Sequence, residues 1–328
     1  MIRPGPKNLI TDLEGILVGN AQDIGLRSGT TVILPDAPVP MAVDVRGGGP
    51  GTRDTDALDP TCVVETFHGV VLSGGSVFGL AAADGVAGWL SEQGRGLPLG
   101  PRAVPVVPAA ILFDLMNGGD KDWDETPYPA LGRRACDAAA RDFALGNAGA
   151  GMGATAGSLK GGLGSVSVVD DDGLAVGAVV AANSFGEVLI PGSRTFWSWA
   201  LEMSGELGGQ VAPDALSDPL PLDLRGAGLT GTNTTIGVVA TNAALSKSQL
   251  QRVAMMAQDG LSRAVRPAHT PFDGDTIFTL ATGSLDIGPV DPLLVARIGA
   301  MAGDCVARAI ARGVYEAEAL GDMPGYRG

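Results

Sequence analysis

Imidazole, thiol and aromatic groups are scarce in this chain. Among its 328 residues are two histidines, three cysteines and 5% aromatics. Only His68 and His269 can serve as imidazole bases. The cysteines, Cys62, Cys136 and Cys305, are odd in number and far apart. That excludes a disulfide framework and a metal-ligand spacing, makes buried small apolar residues the simplest reading of all three, and suggests a reducing, cytoplasmic setting. Positive charge is also short: 22 Lys and Arg against 36 Asp and Glu give a net charge of −14. Such a balance disfavours nucleic acid and anionic membrane as partners. No apolar run is long enough to span a bilayer; "GLAVGAVVAAN" falls well short. The start, "MIRPGPKNLITDLEG", lacks the apolar core of a signal peptide.

What is abundant is aliphatic side chain and glycine. At 45% hydrophobic, the chain can bury a sizeable core made of Ala, Val, Leu and Ile. The 50 glycines in 328 residues are roughly twice the usual ~7%. They cluster in "RGGGPG", "LSGGS" and "GAGMGATAG", as tight turns and close backbone approaches do.

The periodicity predicts strands at 30–35 and 40–49 with a turn between them. A strand, glycine turn and helix follow, with the helix starting near Ser76. A strand interrupted by prolines covers "AVPVVPAAILFDL", and an amphipathic helix covers "YPALGRRACDAAARDFA". Two long strands should form a hairpin turned in the solvent at Asp170-Asp171-Asp172-Gly173. Residues 211–233 are rich in Pro, Asp and Gly without period, the clearest linker in the chain. Beyond them the pattern predicts a strand at 235–241, a helix capped by Ser246 and Gln249, a strand at 276–282 and a helix from about Asp291.

The stretch "TNTTIGVVATNA" places hydroxyls at the mouth of a buried strand, directly after that linker. On residues alone, Thr234 and Thr235 could simply begin a strand, where β-branched residues are favoured. A second reading is chemical. A threonine hydroxyl is a poor nucleophile without a base. If the Asn233–Thr234 bond is cut, Thr234 gains an α-amine with a pKa near 8 on the same residue as its hydroxyl. That amine can serve as the base. The cut can be self-inflicted, by attack of Thr234 Oγ on the Asn233 carbonyl.

"TNTTIGVVATNAALSKSQLQRVAMMAQDGLSRAVRPAHTPFDGDTIF" closely resembles the P1 family of peptidases. These are self-cleaving N-terminal-nucleophile hydrolases that include aminopeptidases, amidases and endo-type nylon-oligomer hydrolases. The likeness extends to "LITDLEGILVGN", "VDVRGGGPGTRDTD", "LSGGSVFGLAAADGV", "GAGMGATAGSLKGGLGSVSV" and "VVAANSFGEV", in the family's order. It implies an α/β/β/α sandwich of four layers. It also implies one domain, 1–328, cut into 1–233 and 234–328, and a tetramer of such pairs. By the same resemblance Thr234 is the nucleophile, and Asp273 and Asp275 orient it and its amine. Lys160 stands near the site, and Asn183 carries an amide that can stabilise an oxyanion. Aminopeptidase members carry Tyr where this chain has Phe113, and tend to carry Ser and Glu at the positions of Asp273 and Asp275. The Asp pair and the Asn-Thr junction are closer to the nylon-oligomer branch, which keeps the Tyr. Phe113 has no hydroxyl, so the donor role is expected to fall to Asn183, with Lys160 or a backbone N–H near Gly75 and Ser76. Ser76 could equally be a helix cap. The substrate is then a small amide or peptide, with no metal and no organic cofactor.

Two other functions stay open at this point. An acyltransferase of the ornithine acetyltransferase type would use the same cut and the same nucleophile. An uncut shell that binds a small ligand would use neither. "GAGMGA" fits a dinucleotide-loop pattern but follows no clear strand. "DDDG" lacks the remainder of a calcium loop. His269 has no partner in the sequence and reads as a structural or rim residue.

Overall fold

The computed structural model describes residues 1–215 and 233–328. The strands in chain order begin with β1 (Arg3–Pro4), β2 (Ile16–Asp23), β3 (Ser28–Pro35), β4 (Met41–Val45), β5 (Thr52–Arg53) and β6 (Val70–Ser73). Helix α1 (Ala82–Glu92), strand β7 (Ala109–Ile111) and helix α2 (Tyr128–Asp137) come next. A short pair, β8 (Thr155–Ala156) and β9 (Leu159–Lys160), precedes the long strands β10 (Gly162–Val169) and β11 (Ala175–Ala182). The last part holds β12 (Ile236–Ala243), α3 (Lys247–Ala264), β13 (Thr276–Leu285) and α4 (Pro292–Glu316).

Two sheets face each other. One has the order β1-β10-β11-β12-β13-β4 and the other β2-β3-β6-β7-β5. The two-residue alternation of strands explains the layering. In β12, Ile236, Val238 and Ala240 point into the layer between the sheets, where they join Ile33, Leu72 and Phe278. From the same strand, Val239 and Ala243 point the other way, onto α3 and α4. Helices α1 and α2 cover the second sheet through Val86, Leu90, Leu131 and Ala135, against Val32 and Val71. The order is therefore helices, sheet, sheet, helices. Each fully buried Val, Ile or Leu in these layers contributes about 1.5–3 kcal/mol.

Several expectations meet the structure with adjustments. The strands expected at 30–35 and 40–49 lie in different sheets, β3 in one and β4 in the other. Pro35, Pro38 and Pro40 lie between or at the ends of the strands, and the missing N–H groups deny the two a continuous ladder; Val39 bridges Phe67 instead. The helix expected from Ser76 opens as a 3-10 turn, Ser76–Ala81, before α1. Gly75 (φ +88°) and Ser76 (φ +51°) are both left-handed there, and no side chain caps the turn. Helix α2 stops at Asp137 because the chain turns to bridge Ala140 to Val18. The hairpin of β10 and β11 forms in the expected place. Its Asp170 is buried rather than solvated: it accepts N–H groups of Asp172 and Leu174 and pairs with Arg297 at 2.5 Å. Ser246 and Gln249 make the expected capping box, and Asp291 caps α4 through Leu294 N. Cys136 and Cys305 are buried, but Cys62 is only half-buried, on a loop. Most of the linker at 211–233 falls on 216–232, outside the described residues. Among those described, no helix is long and apolar enough to cross a membrane.

Candidate active site

Parallel pairing assembles the site. Strands β12 and β13 run parallel, connected by α3, with Ile236 opposite Thr276. Parallel neighbours begin at the same edge of the sheet. The residues just ahead of each strand therefore meet, although about forty positions separate them. Asn233 bridges Asp273. Gly274 N–H donates to the Asn233 carbonyl at 3.0 Å, and Thr276 N–H to the Thr235 carbonyl at 3.1 Å.

Thr234 is 2% exposed. Its N–H donates to the Asn183 carbonyl at 2.6 Å, and its hydroxyl donates to the carbonyl oxygen of Asn233. That carbonyl thus receives two donors, the Thr234 hydroxyl and Gly274 N–H. Of the two, Gly274 N–H is the donor that can remain to stabilise the negative charge that would develop on the oxygen if the hydroxyl attacked. A Cβ on Gly274 would lie 2.7 Å from Thr234 Oγ1 and 2.8 Å from the Gly49 carbonyl. The absence of a side chain lets the loop approach the threonine this closely.

Both aspartates are buried in the 269–275 loop, each held by a set of donors. Asp275 accepts Thr235 N–H at 2.9 Å on one oxygen. On the other it meets His269 twice, through the backbone N–H at 3.1 Å and through Nδ1 at 2.8 Å. Asp273 accepts Phe185 N–H at 3.2 Å, and Thr270 through both N–H (2.8 Å) and hydroxyl (2.6 Å). Burial, and then the neighbouring charge of Asp275, push the pKa of Asp273 up.

Lys160 is 1% exposed. Its ammonium donates to the carbonyls of Gly151 (2.9 Å) and Gly161 (2.7 Å). Burial lowers its pKa to about 7, partly offset by the charge of Asp114. Asn183 serves through its backbone as well as its side chain. The carbonyl takes Thr234 N–H, the side-chain oxygen accepts Thr155 N–H at 2.9 Å, and the amide donates to the Phe113 carbonyl at 3.3 Å. Beside these groups lies a cavity of about 640 Å³, whose lining includes Phe113, Asp114, Thr155, Lys160 and Asn233. Gly75 and Ser76 are not part of that lining. They stand behind it: Gly75 N–H donates to Asp114 at 2.8 Å and Ser76 N–H to the Leu112 carbonyl at 3.0 Å.

The sequence profile of peptidase family S58 matches residues 8–327. The chain belongs to that family. This S58 peptidase is 43% identical to an uncharacterized aminopeptidase of Mycobacterium bovis, over 98% of this chain and 97% of that one. It is 29% identical to a 6-aminohexanoate-oligomer endohydrolase of Kocuria sp., over 97% of this chain and 85% of that one. Its fold matches the L-aminopeptidase D-Ala-esterase/amidase of Ochrobactrum anthropi, described as a variant of the Ntn hydrolase fold. The TM-score is 0.68 at 26% identity, covering 96% of this chain and 88% of the other. The S58 protein is an enzyme, an amide hydrolase of the N-terminal-nucleophile type with the α/β/β/α architecture.

Three contributors to the site escape a reading of the sequence. His269 lies four residues ahead of Asp273, and its ring reaches Asp275 because its backbone turns left-handed (φ +56°). It is a member of the aspartate network rather than a residue without a partner. Its proximity to "FDGD" was the available signal. Gly274 contributes through its N–H and its lack of a side chain, which no motif distinguishes from an ordinary turn glycine. Asp114 follows Phe113 directly and lines the same cavity.

Proposed function

We propose that this enzyme matures by cutting its own Asn233–Thr234 bond and then hydrolyses small amides with Thr234. Thr234 Oγ attacks the Asn233 carbonyl carbon, the C–N bond breaks, and the Oγ proton ends on the Thr234 nitrogen. Water then opens the ester, leaving a carboxylate on Asn233 and a free amine on Thr234. In the mature enzyme that amine takes the proton of Thr234 Oγ as it attacks a substrate carbonyl. An acyl-enzyme forms, the amine half of the substrate leaves with a proton, and water releases the acyl half. Asp275 fixes the backbone at Thr235, and Asp273 fixes the Thr270 turn and Phe185. Asn183 anchors the Thr234 nitrogen through its carbonyl, while its side-chain amide, which bonds the Phe113 carbonyl, would have to let go of that carbonyl to donate to an oxyanion. Lys160 supplies the nearby cationic donor for an oxyanion, a role Phe113 cannot take.

One observation carries this reading: the Thr234 hydroxyl rests on the Asn233 carbonyl, which also receives Gly274 N–H. The small amide substrate, whether a peptide or an aminohexanoate oligomer, follows from the relatives. An assembly of four cut pairs, as the resemblance implies, and a cytoplasmic location, suggested by the three unpaired cysteines, complete the proposal. Denaturing mass spectrometry tests the cut. The purified enzyme should give fragments 1–233 and 234–328, and Thr234→Ala a single inactive chain. An intact wild-type chain that still hydrolyses amides refutes the mechanism. Light scattering of the native protein tests the assembly.

A further inference from the structure

Arg27 carries a guanidinium that neither reaction above uses. Its backbone is left-handed (φ +50°), a conformation that a non-glycine residue keeps only with support from its surroundings. Asn117 gives that support twice. Arg27 Nη1 donates to the Asn117 carbonyl at 2.8 Å, and Asn117 Nδ2 donates to the Arg27 carbonyl at 2.6 Å. Two glycines make room for the same nitrogen: a Cβ would lie 3.0 Å from Nη1 if built on Gly118, and 2.4 Å from it if built on Gly321. One corner of the guanidinium is thus fixed by the protein. Among the described residues Nε and Nη2 have no acceptor, and neither atom is buried. They form the edge that offers two parallel N–H groups, the arrangement that matches the two oxygens of a carboxylate.

The position of Arg27 gives that edge a use. Arg27 lines the cavity beside Asn233, and so does Lys160. The C-terminal turn joins the two. Leu320 and Met323 pair across it, Gly321 packs on the guanidinium, and the Pro324 carbonyl accepts Lys160 N–H at 2.8 Å. Arg27 and Lys160 therefore flank the same short piece of tail. With Lys160 near the reacting carbonyl, Arg27 stands further along the wall, where the end of a short substrate would lie. Asp322 is exposed on this wall and forms no hydrogen bond with Arg27. The cavity of about 640 Å³ is within the range of small-molecule sites.

We propose that Arg27 holds the free carboxylate that ends the amine half of the substrate, so that this enzyme selects short peptides or linear amides with an unblocked acid end. The inference rests on the hydrolase reading above and adds a specificity residue to that site. It also gives the C-terminal turn a role, as the piece that keeps Arg27 and Lys160 on one wall.

The test compares glycyl-, β-alanyl- and 6-aminohexanoyl-dipeptides bearing a free C-terminal carboxylate with their C-terminal carboxamides, on mature wild-type enzyme, Arg27→Gln and Arg27→Lys. Released amine is measured by chromatography. The wild-type ratio of kcat/KM for acid over carboxamide should be about 10- to 100-fold, as for a hydrogen bond between charged groups. It should fall to near one in Arg27→Gln, mainly through KM. Arg27→Lys keeps the charge but not the two parallel donors, so it should lose part of the ratio; it serves alone should Arg27→Gln fail to fold. A wild-type ratio near one, or a ratio unchanged in either variant, overturns the assignment and leaves the hydrolase reading intact. So does a preference for glutaryl-p-nitroanilide, whose carboxylate is on the acyl half, without any preference between the dipeptide acids and carboxamides. A wild-type protein that is uncut and cleaves none of these amides overturns the hydrolase reading, and this one with it.

Discussion

Lys160 is the group whose removal the structure makes most quantitative. Its ammonium is buried, donates to two carbonyls and has a pKa of about 7 in the fold. In the unfolded chain a lysine titrates near 10.4. The folded value is depressed, so between these limits the unfolded state binds more protons. Stability from this group therefore rises with pH across that window. Below pH 7 both states are charged and the full cost of burial is felt. Each pH unit above 7 relieves about 1.4 kcal/mol, or roughly 3 kcal/mol by pH 9. Lys160→Met removes the titration. The comparison belongs in the Thr234→Ala background, where an uncut single chain can unfold reversibly in urea. The stability of the Thr234→Ala protein is measured relative to the double variant that also carries Lys160→Met. This difference should rise by about 1.4 kcal/mol per unit between pH 7 and 9 and be flat from pH 5 to 6. A difference independent of pH from 6 to 9 would refute the argument that burial holds this amine near neutrality.

Asp275→Asn keeps one acceptor oxygen but turns an NH₂ toward the Thr235 or His269 N–H. Losing one charge-assisted bond of this kind costs about 1.5–3 kcal/mol, so self-cleavage timed by gel densitometry should slow by about 10- to 100-fold; wild-type timing would remove Asp275 from the site. Gly274→Ala should also delay the cut, because its methyl would sit 2.7 Å from Thr234 Oγ1 and 2.8 Å from the Gly49 carbonyl; a normally processed, normally folded variant would show that the loop yields. Thr234→Ser retains a hydroxyl and an N-terminal amine after cutting, so it should still give two fragments on mass analysis, whereas Thr234→Ala should not.

The sequence alone determined where most strands and helices lie; the four layers and the choice of Thr234 as nucleophile came through the resemblance to a family. The short continuous apolar run in "TTIGVVATNA" marks a strand buried on both faces, and the Ser246 and Asp291 caps mark where α3 and α4 begin. These are local properties, set by side-chain period and by backbone groups that need partners nearby. The pair "FDGD" was legible as a candidate only through the resemblance to a family, since Asp-Gly-Asp is otherwise an ordinary turn. Tertiary structure decided what those residues touch. The parallel register of β12 and β13 puts Gly274 N–H on the Asn233 carbonyl, and a shift of one residue would have carried it away. The left-handed backbone at His269 turns its ring onto Asp275. Such contacts depend on distances between segments that are remote in the chain, and those distances are fixed only when the two sheets pack.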